Sequence, residues 1–156
     1  ATILRCCPMN EIHLPAALHE EMLRQADAGY PEEVCGLLAG SIDGRIGRAM
    51  RLYPVENGLH SPVAYEMEPL AQVRAMIAIE SEGLELVGIY HSHPTGPASP
   101  SPSDVAQAWY PDAAQIIISL DDRARPAARA FLIRGGQAME IPIYSPKSTT
   151  KVADYE

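Results

Sequence analysis

The sequence predicts a mixed α/β domain, one sheet flanked by about three helices. Short apolar runs of strand length, bounded by Gly, Pro and Asn turns, are interleaved with longer stretches whose apolar residues recur every three or four positions. No internal repeat or linker divides the chain. At 156 residues it suits one core that folds without disulfide staples. The domain is expected to span residues 1–144, followed by a polar tail over 145–156 that lacks any period.

A short extended segment around Ile12 and His13 comes first. Leu14, Leu18, Met22 and Ala26 then recur every four residues, predicting a helix over 15–28 with Pro15 in its first turn and Gly29 as its stop. The apolar run 34–39, closed by Gly40 and a turn at Asp43-Gly44, pairs with 45–55 as a hairpin. Asn57-Gly58 reads as a turn and 63–67 as a further short strand. A second helix is predicted over 69–82, with Leu70, Val73, Ile77 and Met76 facing inward and Gly83 ending it.

The run 84–90 is apolar almost throughout, as befits a central strand covered on both faces. Segment 94–102 carries Pro94, Pro97, Pro100 and Pro102 with Gly96, so it is a loop. Ser103-Asp104 opens a short helix running to about Trp109, whose ring is expected to pack with it. Segments 116–120, 128–133 and 138–143 are strands, the last two joined by a turn at Gly135-Gly136.

Composition narrows the function classes. There are 20 Asp and Glu against 12 Lys and Arg, which argues against nucleic acid, since that affinity rests on cationic side chains neutralising phosphates. The longest apolar stretches fall far short of the roughly 20 residues a membrane span needs. Three cysteines, two of them adjacent (Cys6 and Cys7), form no disulfide framework and suit a reducing compartment. A cytoplasmic protein is expected, with no membrane partner.

The most informative stretch is His91-Ser92-His93-Pro94, followed eleven residues after His93 by Asp104. Residues two apart on a strand share a face, so both imidazoles can address one ion if the segment stays extended, and Pro94 favours extension of the residue before it. With Asp104 they make three nitrogen and oxygen donors for one divalent metal, leaving an open position of the kind catalytic zinc keeps. Such a site needs a base, and the carboxylates Glu32 and Glu33, just ahead of an apolar strand, are the candidates. Cys35 within that strand reads as a buried thiol rather than a nucleophile, and His13, His19 and His60 lack partners at ligand spacing.

Glu33-Val34-Cys35-Gly36, His91-Ser92-His93-Pro94 and Ser101-Pro102-Ser103-Asp104, with ten residues between His93 and Asp104, closely resemble the motif of the JAMM (MPN+) zinc metallopeptidases. The resemblance implies a curved, largely antiparallel mixed sheet of the JAMM/MPN, cytidine-deaminase-like type. It implies one zinc ion per chain held by His91, His93 and Asp104. It makes Glu33 the general base, leaves Glu32 a bystander, and gives Ser101 the role of donor to the developing oxyanion. The implied substrate is a ubiquitin-like or sulfur-carrier protein, cut at the peptide or isopeptide bond after its C-terminal Gly-Gly. Homodimerisation is left open. Two other readings compete: a metal-stabilised MPN-type binding scaffold, and a Cys/His amidohydrolase using Cys35.

Overall fold

The computed structural model describes residues 5–146. In chain order the elements are β1 (Glu11–His13), α1 (Ala16–Gly29), β2 (Cys35–Asp43), β3 (Ile46–Val55), α2 (Pro69–Ser81), β4 (Glu85–His93), α3 (Pro102–Ala106), β5 (Ala114–Ser119), β6 (Ala127–Arg134), β7 (Gln137–Ile141) and β8 (Ile143–Tyr144). The strands form one eight-stranded sheet in the order β7-β6-β5-β4-β2-β3-β1-β8. Pairs β2/β3, β2/β4, β5/β6 and β6/β7 are antiparallel, whereas β4/β5, β1/β3 and β1/β8 are parallel. Only Pro142 separates β7 from β8, yet they occupy opposite ends of the strand order. The sheet must therefore curl until its two edges approach each other.

Alternation along β4 sorts its side chains between two cores. Tyr90 points into the larger one, where Leu14, Met22 and Ala26 of the α1 region meet Leu38, Ile116 and Leu132. Its hydroxyl donates to Gln25 Oε1 at 2.5 Å, tying α1 to the sheet centre. The Tyr90 ring crosses β2 at Gly36, where a Cβ would lie 2.3 Å from it, so no larger residue fits there. Ile89 points the other way, into a core with Leu37, Val55, Met67 and Ile79 of α2. His91 and His93 therefore share the α2 and α3 side of the sheet.

Several predicted details differ. Strand β2 does not stop at Gly40 but runs on to Asp43, with a register irregularity against β3 at Ala39/Gly40. Gly40 has no room for a side chain there, because a Cβ would meet Arg48 O. Segment 63–67 is not a strand. Only Met67 bridges, to Asn57, and the Asn57 side chain serves the backbone groups a ladder would otherwise satisfy. Helix α3 ends at Ala106, and Trp109 lies beyond it at 76% exposure instead of packing. The expected strand over 138–143 breaks at Pro142, which has no N–H to donate.

Helix α2 turns most of its predicted inner face outward: Leu70, Val73 and Ile77 are exposed, whereas Met76 packs inward as expected, beside buried Ile79 and with Ala71 and Ala75. Apolar residues surround this helix, so period alone cannot choose its phase. The two alanines let it approach the sheet closely. Its N-terminus is capped by Glu68, which accepts from the Leu70 and Ala71 amides at 3.1 and 2.6 Å. No helix among the described residues is long and apolar enough to cross a membrane. Of the predicted tail, Ser145 Oγ lies 3.2 Å from His19 Nδ1, and 147–156 fall outside the described residues.

Candidate metal centre

The site lies where β4 leaves the sheet and the chain returns through the proline-rich loop. Strand β4 stays extended through His93, so both imidazoles project from one face. The His91 and His93 Nε2 atoms lie 3.1 Å apart. Helix α3 brings the carboxylate: Ser101 is its N-cap, with Ser101 Oγ accepting from the Asp104 amide at 3.1 Å and Asp104 Oδ2 accepting from the Ser101 amide at 2.9 Å. This reciprocal capping box fixes the carboxylate so that the same Oδ2 stands 3.2 Å from His91 Nε2 and 3.1 Å from His93 Nε2.

Three donor atoms thus form a nearly equilateral triangle. A tetrahedral zinc ion with bonds of about 2.0–2.1 Å separates its ligands by about 3.3 Å, so the edges fit such an ion. Tautomer chemistry agrees at His93. Its Nδ1 is 2.8 Å from Pro97 O, a carbonyl that can only accept, so Nδ1 carries a proton and Nε2 is the nitrogen left to face an ion.

Glu33 joins from β2's approach. Its Oε1 is 3.9 Å from His93 Nε2, and Glu33, His91 and His93 offer donor atoms within 4.8 Å of one another. Of the two carboxylates Asp104 comes nearer, its Oδ2 lying 3.2 and 3.1 Å from the two imidazoles against 3.9 Å from Glu33 Oε1 to His93. The Glu33 backbone is clamped on both sides: its amide donates to Ser61 O at 2.9 Å and its carbonyl accepts from Asn57 Nδ2 at 3.0 Å. Val34 N–H donates to Ser92 Oγ at 2.9 Å. Ser92, between the histidines, faces the opposite side of β4 and holds Glu33's neighbour. Glu32 turns away, with Oε2 3.3 Å from His60 Nδ1.

Electrostatics separates the two carboxyls. Burial pushes Glu33 up to about 7; the neighbouring His93 only partly opposes this. Burial would raise Asp104 as well, but hydrogen bonds from both imidazoles and the Ser101 amide hold it far below the usual range. Burial lowers His91. At His93 the burial effect is outweighed by Asp104 and the Pro97 carbonyl, which raise it. Burial and hydrogen bonding thus push the two carboxyls in opposite directions.

Glu33, His93 and Ser101 line one open cleft, walled by Pro62 and Val63 on one side and the 94–100 loop on the other. Ser119 Oγ donates to Gly96 O at 2.6 Å and so pins that loop to the end of β5. All five residues singled out from the sequence, Glu33, His91, His93, Ser101 and Asp104, come together here. The roles of Asn57, Tyr65, Ser92 and Ser119 were not anticipated. The Asn57-Gly58 pair signals only a turn, and nothing in the sequence marks Asn57 as buried beside Glu33.

Cys35 is buried, its thiol donates to Val55 O at 3.3 Å, and burial followed by the Glu33 charge pushes it up to about 12. A thiol so placed does not serve as a nucleophile near neutrality. Brief iodoacetamide treatment at pH 8 should alkylate the exposed Cys6 and Cys7 in the native protein. Cys35 should react only after unfolding. Peptide mass mapping checks this, and native alkylation of Cys35 would revive the thiol reading.

Asn57 makes four hydrogen bonds: Nδ2 to Glu33 O and Ala64 O, and Oδ1 from the Leu59 and Glu66 amides. Asn57→Ala strands several of these groups where they are poorly solvated. It should destabilise the fold by about 2–4 kcal/mol, given about 1–3 kcal/mol per unsatisfied buried group. Denaturant unfolding measures it, and a change under about 0.5 kcal/mol, the size of an ordinary surface substitution, would contradict the hub role.

Fold and site together define a mixed α/β protein with a His, His, Asp donor triangle and a glutamate at the edge of one cleft. A family model described as prokaryotic homologs of the JAB domain matches residues 15–133, and the chain belongs to that family. It is 38% identical over 137 residues, 85% of this chain and 82% of the relative, to a probable TtuB-protein conjugate cleaving protease of Thermus thermophilus. It is 35% identical over 128 residues, 82% of this chain and 86% of the relative, to the CysO-cysteine peptidase of Mycobacterium tuberculosis. The solution structure of protein DSY2949 from Desulfitobacterium hafniense superposes with a TM-score of 0.81 at 34% identity, covering 93% of this chain and 99% of that one.

Proposed function

We propose that this protein is a zinc-dependent peptidase that hydrolyses the peptide or isopeptide bond following the C-terminal Gly-Gly of a ubiquitin-like or sulfur-carrier protein. The observation that carries the reading is the donor triangle of His91, His93 and Asp104 with the Glu33 carboxyl at its edge. The two relatives support the substrate class: one is named for cleaving TtuB conjugates and the other for CysO-cysteine.

In this reading His91, His93 and Asp104 hold one zinc ion per chain. A zinc ion supplies Lewis acidity at its open position. Glu33, whose carboxyl stands at the edge of the donor triangle, accepts the proton of the attacking water and passes it to the departing nitrogen. Ser101 Oγ already accepts the Asp104 amide, so its own O–H is left to donate to the carbonyl oxygen as charge develops there. The clamped backbone of Glu33 holds the base in place without reorganisation during the reaction.

The direct test offers the purified protein a small ubiquitin-like protein carrying a C-terminal extension or a lysine conjugate after Gly-Gly, with zinc content measured in parallel. Cleavage after the second glycine by the zinc-loaded protein, and none by the chelated protein, is the expected result. A zinc-loaded protein that binds such substrates without cutting either bond would favour the scaffold reading.

A further inference from the structure

Metal-binding imidazoles ordinarily donate their second ring N–H to a carboxylate, a carbonyl or water, which fixes tautomer and ring plane. His93 has such an acceptor in Pro97. His91 is almost fully buried, and its Nδ1 has no partner among the described residues. What it has is Tyr65, whose ring stacks on the imidazole with centroids 4.5 Å apart and planes inclined by 27°.

Tyr65 is itself held from both sides. Asn57 Nδ2 donates to the carbonyl of Ala64 at 3.1 Å, and Asn57 Oδ1 accepts from the amide of Glu66 at 3.2 Å. The same Asn57 amide donates to the Glu33 carbonyl, so one buried side chain sets the Tyr65 ring and the Glu33 backbone relative to each other. Burial, then the nearby Asp104, Cys35 and Glu33, hold the Tyr65 phenol well above its usual range, so the stacked ring is neutral.

We propose that Tyr65, seated by Asn57, is a positioning residue for His91: its ring fixes the imidazole plane that a hydrogen bond at Nδ1 would otherwise fix. The proposal rests on His91 being a metal ligand. The phenol hydroxyl is not needed for it, and the flat ring is.

The test compares wild type, Tyr65→Phe and Tyr65→Leu for zinc affinity, by competition with a chromophoric chelator, and for the visible spectrum of the cobalt-substituted protein. Removing an offset ring stack costs a factor of about three to ten in the affinity that depends on it. Tyr65→Leu should therefore bind zinc about that much more weakly and shift or broaden the cobalt bands. Tyr65→Phe should match wild type in both. Circular dichroism of the metal-free variants at the assay temperature should be alike, which separates positioning from folding.

If Tyr65→Leu keeps wild-type zinc affinity and spectrum, or if Tyr65→Phe is as impaired as Tyr65→Leu, the proposal is overturned while the metal reading stands. Failure of wild type itself to bind zinc would overturn the metal reading, and this proposal with it.

Discussion

Replacing Glu33 by glutamine is expected to lower kcat/KM by about 10²–10⁴-fold, the usual worth of a positioned general base, while zinc content stays at the wild-type level. Glutamine keeps the shape and loses the proton acceptor. The two readouts must separate: loss of zinc along with activity would make Glu33 a ligand instead of a base.

The same substitution makes a stability prediction of definite sign. In the metal-free protein burial raises Glu33 from 4.5 to about 7. A carboxyl raised in this way favours the folded state fully below its unfolded value, and that contribution is lost as pH rises through about 7. At pH 8 wild type carries a buried, poorly solvated carboxylate that Glu33→Gln lacks. Metal-free Glu33→Gln should therefore unfold at a higher temperature than metal-free wild type at pH 8, with the gap narrowing toward pH 5. A wild type more stable than the variant at pH 8 would mean that the site stabilises the anion, and Glu33 would then be a poor proton acceptor.

Chelation should abolish cleavage and leave the fold standing. Each of the three proposed donor side chains is held by structure that does not need an ion. His91 and His93 sit in β4, between β2 and β5, and Asp104 sits in a capping box. Both large cores are built without them. Circular dichroism should be unchanged after chelator treatment, and the unfolding temperature should fall only by the mass-action contribution of the lost ligand. Activity should return on adding zinc. Collapse of secondary structure on chelation is the behaviour of a structural metal site and would contradict a catalytic centre.

Much of the donor set was legible because it is local. His91 and His93 are two apart on one strand, so the period of the strand alone puts them on one face. Asp104 opens a helix whose start is marked by Ser101, and the Ser-x-x-Asp spacing carries its own capping geometry. The central strand and the α1 face were legible for a related reason: Leu14, Met22 and Ala26 are apolar on one side only, so burial has a single choice.

The unanticipated residues depend on contacts between distant segments. Asn57 matters because the chain brings it beside Glu33 and the Ala64–Glu66 backbone, and its sequence neighbours say only that a turn follows. Tyr65 acquires its place from His91, on a strand it does not adjoin in sequence. Trp109 looked like helix packing because its neighbours are helix formers, but α3 ends before it.

What the sequence determined by itself is whatever short-range geometry enforces: the strand that aligns two imidazoles, the cap that presents Asp104, and the glycine and proline breaks between elements. Tertiary structure decided the phase of α2, the curl that brings β7 and β8 together, and the clamp of Asn57 on Glu33 and Tyr65. The physical reason is that local backbone preference and side-chain period act over a few residues, whereas burial and hydrogen-bond satisfaction are settled only when segments far apart in sequence compete for the same space.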